Sequence, residues 1–81
     1  MTNQKVTVYS TPTCGYCTMV KRFLKDRGVA FTEIDVSRDH NAAQRMIQKS
    51  GQIGVPVVEI GSRIIVGFNQ NEILKALGLG R

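Results

Sequence analysis

The sequence predicts an α/β fold in which a βαβ unit is followed by a ββα unit, giving a four-stranded mixed sheet flanked by three helices. Three observations carry this. Short β-rich runs alternate with segments whose apolar residues recur at helical spacing. Each helical segment runs into a glycine: Gly28, Gly51 and Gly78. The last two strand runs are separated only by Gly61-Ser62, the spacing of a two-residue hairpin turn.

The first run, residues 5–10 (Lys-Val-Thr-Val-Tyr-Ser), is β-rich and weakly alternating. Thr11-Pro12-Thr13 breaks it. A helix is expected from Cys14 or Gly15 to Arg27, with Val20, Phe23 and Leu24 on its apolar stripe and Arg27 on the flank. Residues 31–36 alternate apolar and polar as a second strand. A second helix spans about 41–49, with Ser37 or Asp39 as candidate caps. Pro56 opens the third strand, 57–60, which the hairpin turn joins to a fourth, 63–66. Asn69 is placed to cap the last helix, and Glu72 three residues on resembles a capping box. Ile73, Leu74 and Leu77 make that helix's apolar face. The βαβ unit requires a parallel, right-handed crossover. No linker, repeat or low-complexity stretch interrupts residues 1–81, which are read as a single domain.

With 81 residues the core is small and the stability margin narrow. No apolar run approaches the roughly 20 residues that span a bilayer, and the start, Met-Thr-Asn-Gln-Lys, has no apolar stretch of the secretory type. These features lead us to expect a cytoplasmic protein with no membrane association. The net charge of +5 comes from scattered basic residues, concentrated only at Lys21, Arg22, Lys25 and Arg27. That cluster reads as a solvated helix face with cations toward its C-terminal end, or as a lure for acidic partners. No aromatic-basic pattern accompanies it, which argues against nucleic acid.

The chemistry lies in Cys14-Gly15-Tyr16-Cys17, which holds both cysteines of the chain at a strand-to-helix junction. Two thiols at this spacing close a disulfide across the first helical turn. The unpaired N–H groups and positive dipole end of the helix stabilise a thiolate there, and the thiolate is the nucleophile of disulfide exchange. A structural disulfide would close too short a loop to stabilise much. Cys14, nearer the helix start, is expected to be the exposed attacking thiol. Cys17, one turn in, is expected to be more buried and to resolve the mixed disulfide that Cys14 forms. The first strand carries no carboxylate, so helix-end dipoles, backbone N–H groups and cations such as Lys21 or Lys5 are left to support the thiolate.

Zinc takes four ligands, whereas the chain offers two thiols and one histidine, His40, which reads as a surface residue near a helix start. A closed intrachain metal site is therefore not expected, and a metal or cluster bridge between two chains through Cys14 is the alternative function. Pro56 is either an ordinary strand-opening proline or a cis-proline that turns the Val55 backbone toward Cys14. In the second case Val55 would pair with a substrate's main chain.

The run Tyr9-Ser10-Thr11-Pro12-Thr13-Cys14-Gly15-Tyr16-Cys17, then Gly54-Val55-Pro56-Val57, then Val66-Gly67-Phe68, resembles the glutaredoxin family of the thioredoxin superfamily over nearly the whole chain. The resemblance implies the thioredoxin fold, with Pro56 as the family's cis-proline. It implies a thiol-disulfide oxidoreductase acting on protein or mixed disulfides, with Cys14 as nucleophile and Cys17 as resolving thiol. Tyr16 would flank them, and Val55, Pro56, Gly67, Phe68 and Asn69 would meet the substrate. No tightly bound cofactor is implied; glutathione or thioredoxin reductase would be the electron donor, and the protein would be a monomer.

The sequence also departs from the glutathione-using members. Thr11 stands where they commonly have Lys or Arg, and Gly54 where they have Thr. Val66-Gly67-Phe68-Asn69-Gln70 has lost one glycine and the acidic residues that meet the γ-glutamyl end. Those changes resemble the glutaredoxin-like electron donors of ribonucleotide reductase. Gly15, a small residue in place of the motif's proline, is the feature that would permit a bridged [2Fe–2S] cluster in a dimer.

Overall fold

The computed structural model describes residues 4–78; the start and end of the expected 1–81 domain lie outside the described residues. Its elements are β1 (Val6–Ser10), α1 (Gly15–Asp26), β2 (Thr32–Asp35), α2 (His40–Ser50), β3 (Val57–Ile60), β4 (Arg63–Val66) and α3 (Gln70–Leu77). The strand order is β2-β1-β3-β4, with β1 and β2 parallel and the other two pairings antiparallel. This is the expected four-stranded mixed sheet with three helices.

β1 is central, and all five of its residues are buried. Its weak alternation is explained by that position, since a strand covered on both faces has no solvent side to fill with polar residues. Successive side chains still point to opposite faces. Val6 and Val8 join Val58, Ile60 and Ile65 against Val20, Phe23 and Leu24 of α1 and Ile73, Ala76 and Leu77 of α3. Tyr9 and Val57 face the other way, onto Ala42 and Met46 of α2. β2 is an edge strand with its first two residues exposed.

The helix ends follow from their caps. α1 ends at Asp26, one residue earlier than its spacing suggested, because Arg27 is the cap and its N–H returns to Leu24 and Lys25 carbonyls. The Arg27 guanidinium instead lies 3.7 Å over the Phe23 ring. α2 begins at His40, which is exposed, and Asp39 caps it by accepting from the Ala42 N–H at 3.0 Å. Ser37, the other candidate cap, gives its N–H to the Asp35 carboxylate. Asn69 caps α3 by accepting from the Glu72 N–H at 3.2 Å. The reciprocal half of the expected capping box is replaced: the Glu72 carboxylate goes to Arg63 of β4 at 3.0 Å and to Lys75 at 3.7 Å.

Candidate active site

The site is assembled where the C-terminal end of β1 feeds α1. A turn closed by the Cys14 N–H to the Thr11 carbonyl (3.3 Å) aims the chain into the helix. Cys14 is the N-cap residue, with extended backbone angles, and its Sγ accepts the Cys17 N–H at 3.1 Å. Sulfur thus does at this helix what an oxygen side chain does at α2 and α3, taking one of the N–H groups that have no intrahelical partner. The first turn of α1 contains no acidic residue to oppose negative charge on that sulfur. Both cysteines are unbridged, and the helix turn holds them close together.

The expectation that Cys14 is exposed needs correction: it is half-buried. The segment before β3 packs beside it, and its Sγ lies 3.9 Å from the Val55 carbonyl oxygen, a contact long for a hydrogen bond. Cys17 is 1 % exposed. Burial pushes its thiol up to about 11, with the hydrogen bond to Cys14 adding in the same direction. The backbone N–H of Thr11 and the charge of Lys21 oppose this shift.

Val55-Pro56 is a cis peptide bond, which settles the two readings of Pro56 in favour of the second geometry. Val55 is half-buried and Pro56 buried. Gly67, at a left-handed φ of 80°, gives its N–H to the Pro56 carbonyl at 2.9 Å, so the end of β4 lies against the same loop. Tyr16 is 63 % exposed beside the thiols.

Phe68 and Asn69 are committed to structure. The Phe68 ring packs edge-on to Phe23 at 5.6 Å between centroids, and the Asn69 side-chain oxygen is the α3 cap. The Asn69 NH2 group and the second lone pair of its oxygen are left to meet a ligand. Lys5 does not approach the thiols. It precedes β1 at the opposite end of the strand, where its carbonyl accepts the Gly61 N–H.

Glu33 joins this end of the fold although no motif in the sequence marks it. β1 indeed carries no carboxylate, but the neighbouring strand supplies one to the same face. Ser10, 1 % exposed at the end of β1, donates its hydroxyl to Glu33 Oε2 at 2.8 Å, and Lys21 Nζ donates to the same oxygen at 2.7 Å. Both bonds hold the Glu33 carboxyl below its usual range, Lys21 first and Ser10 second. The alternation of residues 31–36 puts Glu33 opposite Ile34, on the α1 face; that signal was present but needed the β1–β2 register to be useful.

Among the described residues no group of three or more His, Cys, Asp or Glu side chains is placed to hold a metal ion. No helix of the described residues is long and apolar enough to cross a membrane.

The glutaredoxin family model matches residues 6–65, which include both cysteines, the Val55-Pro56 bond and three of the strands. A glutaredoxin-like 8.6 kDa protein in a rubredoxin operon of Clostridium pasteurianum is 42% identical over 72 residues, covering 89% of this chain and 96% of its own length. Glutaredoxin 3 of Escherichia coli K12 is 39% identical over 75 residues, covering 90% and 88%. The solved glutaredoxin-like NrdH-redoxin of Escherichia coli superposes with a TM-score of 0.80 at 31% identity, covering 88% of this chain and 92% of that one. With the family match, these relatives and the thiol pair at the β1–α1 junction, the chain belongs to the glutaredoxin family of thiol-disulfide oxidoreductases, within the thioredoxin superfamily.

Proposed function

We propose that this protein reduces protein or mixed disulfides by dithiol exchange. The observation that carries the reading is the Cys14 sulfur at the N-cap of α1, with the Cys17 N–H bonded to it and the Val55 backbone beside it. The Cys14 thiolate attacks one sulfur of the substrate disulfide; a Cys14–substrate S–S bond forms and the other substrate sulfur leaves as a thiolate, then takes a proton. Cys17, having lost its proton, attacks Cys14 Sγ. The intramolecular disulfide forms, the substrate bond breaks, and the substrate's second sulfur leaves with the electron pair and is protonated. Two electrons have moved from the protein to the substrate, and a donor must return them. Tyr16, Val55, Pro56 and Gly67 frame the incoming segment, with Phe68 and Asn69 behind them.

Glutathione is the weaker of the two candidate donors. Thr11 offers it no cation and Asn69 no carboxylate, so the charge-assisted contacts to a γ-glutamyl tripeptide are missing. Thioredoxin reductase fits these departures better. The similar NrdH-redoxin is described by its thioredoxin-like activity profile. The test is NADPH consumption with a protein disulfide, driven by glutathione plus glutathione reductase and, separately, by thioredoxin reductase alone. Turnover is expected in the second arm, with weak turnover in the first. Turnover in neither arm would overturn the reading, and strong turnover only with glutathione would reverse the choice of donor.

A further inference from the structure

Cys17 has to lose its proton before it can attack, yet it is buried and its thiol is held well above the ordinary range. Something must keep that proton removable. The chain places one cation where it can act. Lys21 follows Cys17 by four residues on α1, so the two side chains lie one above the other on the same helix face. Its ammonium is half-buried rather than free in solvent and is held at 2.7 Å by Glu33.

Glu33 stands exposed on the edge strand, but its carboxylate is held from two sides. Glu33 lies on the α1-facing side of β2, and its oxygen is fixed from beneath by the hydroxyl of Ser10, a fully buried residue at the last position of β1. Ser10 directly precedes Thr11, whose backbone also favours the Cys17 thiolate. Lys21 acts through space, and the Ser10–Glu33 pair holds it in place. The other charged groups nearby are Cys14, which opposes ionisation of Cys17, and Lys25, whose charge reaches Glu33 from the next turn of α1.

We propose that Ser10 and Glu33 are positioning residues that anchor the Lys21 ammonium beside Cys17 and thereby make the resolving thiol deprotonatable. This rests on the dithiol reading of the site. Lys21 supplies the field, and the anchor stops a flexible side chain from swinging into water, where its effect on a buried sulfur would be screened.

The discriminating variant removes both charges at once, Lys21→Met with Glu33→Gln, because a pair that merely cancels itself leaves Cys17 unaffected. The readout is the 13Cβ shift of each cysteine against pH in the intact, reduced protein, together with the rate of release from a preformed Cys14 mixed disulfide at fixed pH. We expect the Cys17 midpoint to rise by about half a unit or more, which is about threefold less thiolate at a given pH, and release to slow by the same factor. Ser10→Ala, which changes no charge, should move both readouts in the same direction by less, and Lys21→Arg should leave them near the parent values. A double variant with the parent's Cys17 midpoint and release rate overturns the proposal. So does a Ser10→Ala variant that loses thermal stability with neither readout changed. A parent protein that releases no substrate from the mixed disulfide at all sinks the dithiol reading instead, while the Cys17 midpoint still reports on the anchor.

Discussion

At the level of single residues, the site divides two chemically identical thiols by one helical turn. Cys14 caps the helix and meets solvent; Cys17 is closed off by α1 and the sheet. The raised Cys17 thiol has a consequence for stability. Because the folded state holds this proton more tightly than the unfolded chain does, the associated stability is complete below the unfolded thiol range near 9 and is lost as pH climbs toward about 11. Tyr9, raised by burial and by its bond to Glu59, and Lys49, raised by the same carboxylate, act in the same sense at higher pH, above their ordinary values of 10.0 and 10.5. Cys17→Ala should therefore flatten, without abolishing, the fall in unfolding free energy between pH 9 and 11 in denaturant titrations. A fall as steep as the parent's would show that Cys17 does not contribute. The division between the cysteines was readable from their positions. That Cys14 is half-buried was not, because it depends on a loop some forty residues away.

At the level of elements, caps and core faces explain most of the boundaries. Asn69 satisfies an N–H at the start of α3 from an exposed position, so Asn69→Ala should cost about 1 kcal/mol in chemical denaturation. A loss near zero would show that water replaces the cap. Leu24, with no exposed surface, sits where α1 meets the sheet. Leu24→Ala should cost about 2–5 kcal/mol, a large part of what a domain of this size has. A calorimetric transition unchanged from the parent would contradict the packing described. Helix and strand periods, terminal glycines and the Gly61-Ser62 turn made these seven elements legible in sequence. Element ends lie within about one residue of those expected, and the capping details that differ trace to groups with a second choice of partner. Ser37 turned to Asp35, Glu72 to Arg63, and Arg27 to the Phe23 ring.

At the level of the whole molecule, the topology brings separated segments to one end of β1. The turn after β1, the Val55-Pro56 loop and the Gly67 turn converge there, tied by the bond from Gly67 to Pro56. Gly67 adopts a φ of 80° that other residues reach only with strain. No atom crowds the position of a Cβ there, so Gly67→Ala should destabilise through the backbone alone, by about 1 kcal/mol. The thiols and Pro56 could be picked out in the sequence because each is a marked residue at a marked junction. Glu33 could not, since an alternating strand gives a carboxylate no distinction until the parallel register sets it next to Ser10. Lys5 was misplaced for the same reason: sequence proximity to β1 does not say which end of the strand faces the site.

In the proposed dithiol exchange Cys14 attacks and Cys17 resolves. The most direct test of these roles is intact-mass analysis of the Cys17→Ser and Cys14→Ser variants after reaction with a protein disulfide. Cys17→Ser should accumulate a covalent adduct through Cys14 that a reductant releases, while Cys14→Ser should form none. An adduct on Cys14→Ser, or its absence from Cys17→Ser under conditions where the parent turns over, would contradict them.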